Sequence, residues 1–290
     1  MKILIFGNGY IGNRCKNAWS DAILSGKQIL SKQDALEEIQ KYQPDVVLNT
    51  VGVKGKPNVD WCETHPFETM RGNVLEPLVL ADACAEVNIY LLHMGSGCIF
   101  YGDSPHPDKA WRENDFGNPI PVYSRSKWAA DLVLSTLPNV GIARIRMPID
   151  HEPAPGNLID KLASYQKIID VENSATVIDD MLQVFHLLLE KRAIGIFHVT
   201  NPGTIKHRQI LTLYQKIVDP KFSCEWISNN ALVEQGLAVK TRSNNFLSSE
   251  RLAEFDIYMR PIEEAIEDTM KKYKKRKQGE SIECNFCQLN

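Results

Sequence analysis

The sequence predicts an α/β fold, a doubly wound parallel sheet completed by a smaller C-terminal lobe. Three observations predict it. Short apolar runs that read as buried strands alternate with helical patterns as far as Pro148, which is the signature of a parallel sheet wrapped by helices. The first run, Lys2–Phe6, passes directly into Gly7-Asn-Gly9-Tyr-Ile-Gly12, a G-x-G-x-x-G turn in strand-turn-helix context. At His151-Glu-Pro-Ala-Pro-Gly156 the rhythm breaks, so a differently built lobe follows. The second observation makes the sheet Rossmann-type: such glycines let backbone approach a pyrophosphate resting on the helix N-terminus. The expected organisation is a dinucleotide-binding domain over 1–148, completed by a strand near 195–199, a substrate-binding lobe over 149–275, and a basic, frayed tail over 276–290.

Bulk properties narrow the function. A net charge of −3 gives no reason to expect nucleic acid or an anionic membrane as partner. No run approaches the ~18 apolar residues of a membrane span, and the four apolar residues after Lys2 are too few for a signal-peptide core. Seven cysteines, odd in number and without framework spacing, read as free thiols in a reducing compartment, so the expected location is cytoplasmic.

The elements follow in order. After Gly12 a helix runs to about Trp19. A second strand is expected near Gln28–Leu30, ending in Ser31-Lys32 where a NAD-type fold would carry an acid for the ribose hydroxyls. A hydroxyl and a cation there suit the 2′-phosphate of NADPH, with NADH left open. The competing reading is a helix cap made by Ser31 with Asp34, and a solvated Lys32. A helix over Gln33–Tyr42 and a strand over Asp45–Thr50 come next. The irregular loop Val51–Asn58 leaves that strand's carboxyl end as a wall of the cleft. One long helix is expected from Pro66 to Val87, with Asn73 inside it, then a strand at Ile89–Leu92. After a proline-rich loop from Asp103 to Pro121, a helix covers Ser124–Leu137 and a strand Gly141–Arg146. The second lobe holds helices at Leu158–Tyr165 and Asp179–Lys191 and a final helix from Pro261. Lys271–Lys277 reads as a solvated basic run, and the single Cys284-Asn-Phe-Cys287 lacks the second pair a zinc site needs, so no metal is expected.

Two stretches carry the chemistry. Met94-Gly-Ser-Gly-Cys98 breaks into glycines at a strand end, where open parallel sheets hold their ligands. Ser96 and Cys98 are two apart, so an extended backbone points a hydroxyl and a thiol the same way. Tyr123 and Lys127 are four apart on one helix face. A nearby ammonium favours phenolate and is expected to pull the tyrosine's titration down toward working range. A thiol near neutral pH suits proton abstraction; the plainer alternative is a buried structural cysteine.

With these motifs the chain resembles the extended short-chain dehydrogenase/reductase family, and within it the nucleotide-rhamnose synthases that both epimerise and reduce. The resemblance also rests on Lys56-Pro-Asn-Val-Asp-Trp-Cys-Glu63, Gly97-Cys-Ile-Phe100, Arg144-Ile-Arg-Met-Pro148 and Arg242-Ser-Asn-Asn245. It implies that Ser96, Tyr123 and Lys127 are catalytic in reduction, with Cys98 and Lys161 acting in epimerisation. It places NADPH on Gly7, Gly9, Tyr10, Ile11, Gly12, Ser31, Lys32, Val51 and Gly52, together with Tyr123 and Lys127. Lys56, Asn58, Asn157, Arg242 and Asn245 are expected to bind a UDP-4-keto-6-deoxy sugar. The implied reaction is 3,5-epimerisation followed by reduction at C4. Reduction of a dTDP sugar without epimerisation, and a catalytically silent NADP-binding regulatory subunit, remain open, as does a homodimer. Dehydratases of the superfamily carry Asp-Glu where this chain has Gly97-Cys98, so the preceding 4,6-dehydration is not expected.

Overall fold

In the computed structural model, which describes residues 1–56 and 58–282, the strands β1 (Ile3–Phe6), β2 (Ala22–Ser25), β3 (Val46–Asn49), β4 (Tyr90–Ser96), β5 (Val140–Ile145) and β6 (Gly195–His198) form one sheet. They lie side by side as β6-β5-β4-β3-β1-β2, and every pairing is parallel. β1 shows why the sheet is sandwiched. Its residues alternate faces, and all four are at most 1% exposed. Ile3 and Ile5 join a core with α1 (Tyr10–Ala18) and a later helix, Ile178–Glu190. Leu4 and Phe6 join a second core with α2 (Lys32–Tyr42), α3 (Glu76–Glu86) and α4 (Val122–Leu134). Each such burial contributes about 1.5–3 kcal/mol. The strand order reverses between β1 and β3, so the crevice beyond their carboxyl ends is the ligand position of this topology.

β2 corrects an expectation. The strand is Ala22–Ser25, not Gln28–Leu30. Ser31 belongs instead to the start of α2. Its side chain accepts from the Asp34 N–H while the Asp34 carboxylate accepts from the Ser31 N–H at 2.9 Å, a capping box. Leu30 just before it is 65% exposed, which is incompatible with a central strand.

The single helix expected over Pro66–Val87 is three pieces: Pro66–Met70, a π-turn at Arg71–Leu75, and α3. Pro77 has no N–H to donate back to the Asn73 carbonyl, so the ladder widens at this turn and Asn73 sits in the bulge.

The smaller lobe has its own core, built from Ile149, Ile159, Ile168, Ile205, Ile210, Ile266, Met270 and Tyr273. It packs α5 (Leu158–Ser164), α7 (His207–Ile217) and α8 (Ile262–Lys277) around short strand pairs, whereas α6, the Ile178–Glu190 helix expected in this lobe, buries its apolar face in the core beneath the sheet. The basic run at Lys271–Lys277 is not frayed but is the end of α8, with most of its cations facing solvent as expected. Tyr273 is 1% exposed and anchors it. Lys272 bridges to Asp268 at 2.9 Å and Arg276 to Glu152 at 2.7 Å. Cationic residues there also suit the negative end of the helix dipole. Cys284 and Cys287 lie outside the described residues. Among the described residues no helix is long and apolar enough to cross a membrane.

Candidate active site

The glycines after β1 have separate physical reasons. Gly7 takes φ +107°, and a Cβ there would lie 2.6 Å from Thr50 Oγ1. A Cβ on Gly12 would meet the Gly7 carbonyl oxygen at 2.0 Å. Gly9 has nothing within 4 Å of its missing Cβ and caps α1 without a side-chain bond. The turn is therefore held tight at two positions and left open at the one where an anion meets free helix N–H groups. Tyr10 and Ile11 offer backbone only. The Tyr10 hydroxyl donates to Asp150 at 2.6 Å, away from the turn, and Ile11 is buried in the core. The Val51 N–H is taken by Asn49 Oδ1 at 2.9 Å, whereas Gly52 is exposed in the loop.

The Ser31-Lys32 assignment does not hold up as drawn. Ser31 is committed to its cap, and Lys32 Nζ is bonded to Asp82 at 2.9 Å and Glu86 at 2.7 Å. The residues that leave β2 are Ser25, Gly26 and Lys27. Lys27 bridges to Glu37 at 2.7 Å and Asp34 at 3.2 Å. No acid follows β2 directly, the position where ribose hydroxyls are otherwise bound.

One turn beyond the middle of the sheet, the catalytic candidates converge. β4 ends in Ser96, whose Oγ accepts from the Cys98 N–H at 3.2 Å and caps a short 3-10 turn over Gly97–Ile99. The Tyr123 hydroxyl faces the Ser96 side chain, and the Cys98 sulfur is close enough to act on it electrostatically. Burial and that sulfur hold the phenol well above its ordinary value, more than Ser96 offsets. This reverses the expected lowering by Lys127. Lys127 Nζ donates to the Met94 carbonyl at 2.9 Å and faces His93 Nε2 at 3.4 Å. Burial pushes its own titration down to about 8, against the pull of Asp131. Tyr123 is thus a protonated donor at neutral pH. Asn73 supports the cluster: its Oδ1 accepts from the Val53 N–H at 2.7 Å, its Nδ2 donates to Ser126 Oγ at 2.9 Å, and Ser126 donates to the Tyr123 carbonyl at 2.7 Å.

The smaller lobe is strapped onto this cluster by residues 242–245. Arg242 forks both nitrogens onto Asp60 at 2.7 Å each. Ser243 Oγ donates to the Phe100 carbonyl at 2.6 Å, and Asn245 Nδ2 donates to the Gly97 and Phe100 carbonyls at 2.9 and 2.8 Å. Arg242 and Asn245, expected on substrate, therefore bond protein here, and Asn245 acts through the loop that carries Cys98. Asn157 is a correction. It is fully buried and its amide is consumed by the Asp150 N–H, the Ile159 N–H and the Asp150 and Glu152 carbonyls, leaving nothing for a sugar. Asn58 accepts from the Asp60 N–H at 2.8 Å in the loop turn, and Lys56 is exposed. Lys161 on α5 is half-buried, and burial together with Lys54 pushes its ammonium down to about 8.

Three residues were missed by sequence reasoning. His93 inside β4 and Arg146 just past the end of β5 are buried polar groups in apolar runs, which is the signal that could have found them. Asp60 carried none. Gly97 has a cause the sequence hid: a Cβ there would sit 2.5 Å from Leu247 Cδ1, inside a buried cluster with Ile99, Phe100 and Trp111. A dehydratase-type acid there would have to displace that methyl group.

A glycine turn at the switch point of a parallel sheet, facing an acid–base cluster at the neighbouring strand ends, defines a Rossmann-type α/β protein with an equipped cleft. The chain belongs to the family of the RmlD substrate binding domain, which it matches over residues 1–274. It is 36% identical over 260 residues to the bifunctional dTDP-4-dehydrorhamnose 3,5-epimerase/dTDP-4-dehydrorhamnose reductase of Arabidopsis thaliana, covering 86% of this chain and 85% of that protein. The crystal structure of the L780 UDP-rhamnose synthase from Acanthamoeba polyphaga mimivirus superposes with a TM-score of 0.87 at 30% identity, covering 94% and 99% of the two chains. The dTDP-4-dehydrorhamnose reductase of Bacillus anthracis, solved in complex with NADP, shares the fold with a TM-score of 0.78 at 18% identity, over 93% and 98%.

Proposed function

We propose that this protein epimerises C3 and C5 of UDP-4-keto-6-deoxy-D-glucose and then reduces C4 with NADPH, giving UDP-L-rhamnose. The observation that carries the reading is the Cys98 thiol beside the Tyr123–Ser96 pair. Reduction at C4 needs a hydroxyl on the carbonyl oxygen and a proton donor, which Ser96 and Tyr123 supply. It has no use for a thiol; epimerisation has. The 4-keto group acidifies the hydrogens at C3 and C5, and in the D-gluco chair both are axial on one ring face. One base on that face and one acid on the other can then serve both centres. Cys98 is the group assigned to one face and Lys161 to the other.

When bound, NADPH supplies hydride to C4. The chain's own part is to hold the pyrophosphate at Gly9 and the open N-terminus of α1, to place the Ser96 hydroxyl on the carbonyl oxygen, and to deliver the Tyr123 proton to that oxygen. The relatives' names support rhamnose chemistry but differ between dTDP and UDP, and the fold relative in complex with NADP agrees with the cofactor.

The test is incubation of the purified protein with NADPH and UDP- or dTDP-4-keto-6-deoxyglucose in D2O. Conversion to the rhamnose nucleotide with deuterium at C3 and C5 is expected, faster with the UDP sugar. Turnover only of a sugar already epimerised, with no deuterium entering C3 or C5, would leave reduction alone.

A further inference from the structure

Two buried arginines two residues apart, Arg144 in β5 and Arg146 just past its carboxyl end, are 0% and 2% exposed. Arg144 has a carboxylate partner, Asp131, at 2.7 Å. Arg146 makes no ion pair among the described residues. Its Nη2 donates to Asn173 Oδ1 and, at 2.5 Å, to the Ser243 carbonyl, its Nε has no partner, and its Nη1 points at the Cys98 sulfur at 3.1 Å. A buried cation without an anion is strongly disfavoured. Here the one atom in contact that can become an anion is that sulfur.

We propose that Arg146 is the counterion of a Cys98 thiolate, which makes Cys98 the base rather than the acid of epimerisation. The inference rests on the epimerase reading and deepens it. The thiolate takes the C3 or C5 proton and becomes a thiol, while the electron pair moves onto the C4 oxygen beside the Ser96 hydroxyl. The Ser96 hydroxyl alone carries the oxyanion in this step, the Tyr123 proton being kept for reduction. The Lys161 ammonium then returns a proton to carbon from the other face and becomes an amine, and a proton passes through solvent from thiol to amine to reset the pair. The other titratable groups that face this sulfur are Tyr101 and Tyr123, both pushed up chiefly by burial, with Tyr101 at about 12. His207, within electrostatic reach of Arg146, is pushed down, again chiefly by burial. At neutral pH all three are uncharged, so none of them competes with the guanidinium for the sulfur.

Three variants separate the possibilities: Cys98→Ala, Arg146→Met and Arg146→Lys, each first checked for retained NADPH binding. Deuterium incorporation at C3 and C5 should vanish in Cys98→Ala, fall roughly tenfold to a hundredfold in Arg146→Met, the loss of one charge-assisted contact, and recover in part in Arg146→Lys. The ultraviolet thiolate band at neutral pH, taken as the difference between the unmodified protein and Cys98→Ala, should be present and should disappear in Arg146→Met. If Cys98→Ala still exchanges both hydrogens, the epimerase reading through Cys98 fails. If it is silent while Arg146→Met exchanges at the unmodified rate, only the role of Arg146 fails. Should Arg146→Met not fold, the thiolate difference band in the unmodified protein decides: its absence overturns the proposal.

Discussion

Arg242 of the smaller lobe grips Asp60 of the loop after β3 with two parallel hydrogen bonds of 2.7 Å, closing the strap over the strand end that carries Ser96 and Cys98. A bidentate charged pair of this kind, about a quarter exposed on the arginine side, fixes relative position more than it adds stability. Asp60→Ala should therefore leave NADPH binding near its unmodified value while raising Kd for the nucleotide sugar, by about threefold to tenfold. Titration of both ligands by calorimetry checks it. A parallel loss of both affinities would make Asp60 a folding residue instead.

Tyr123→Phe should abolish reduction at C4 and leave deuterium exchange at C3 and C5 largely intact, because the phenol serves one step and the thiol the other. The loss should reach about 10²–10⁴-fold in kcat, the range of a general acid. Loss of exchange in a folded variant would assign both steps to Tyr123.

Cofactor preference should follow the true end of β2. Lys27→Ala is expected to narrow the ratio of kcat/KM for NADPH over NADH roughly tenfold, the scale of one charge-assisted contact. Both cations are held by acids, Lys27 by Glu37 and Asp34 and Lys32 by Asp82 and Glu86, but only Lys27 follows the end of β2 directly, so Lys32→Ala should leave the ratio unmoved. Ser31→Ala should lower stability by about 1 kcal/mol through its cap and not alter preference. A narrowed ratio in Lys32→Ala with none in Lys27→Ala would restore the earlier assignment.

Lys127 gives a pH signature. Its folded value is lowered to about 8 from an ordinary 10.5. Between those values the unfolded chain binds more protons than the folded one, so this group makes stability rise with pH; below about 8 its full penalty is present. The penalty is on the order of 3 kcal/mol. Urea unfolding of the unmodified protein and of Lys127→Met should show a stability difference that shrinks as pH climbs through this window. A constant difference would mean that Lys127 is not depressed.

Gly97→Asp, which imports the dehydratase residue, should destabilise the protein by about 1–3 kcal/mol, the range of overpacking, as the new Cβ drives into Leu247. Thermal unfolding measures it. An unchanged midpoint would show that the cluster around Leu247 yields freely.

The sequence by itself determined the parallel sheet, the glycine turn and the shared helix of Tyr123 and Lys127, while the joining of Ser96 to that pair rested on the family resemblance. The first three depend on local periodicity and on offsets of two and four residues, which a strand or helix converts directly into shared faces. The strand before Ser31 was misplaced because a capping box and a strand end both present polar residues after an apolar pair, and only pairing with β1 distinguishes them. The direction of the Tyr123 shift was also out of reach: a neighbouring cation is written in the sequence, but burial is not, and burial was the larger influence. Arg146 on Cys98, Arg242 on Asp60 and Asn245 on Gly97 join residues 48, 182 and 148 positions apart. No periodicity spans such separations. Arg146 meets Cys98 because β4 and β5 pair side by side, whereas the closing of the smaller lobe over the sheet brought Arg242 and Asn245 to their partners; in each case a buried guanidinium, carboxamide or carbonyl must find its partner wherever the fold places one.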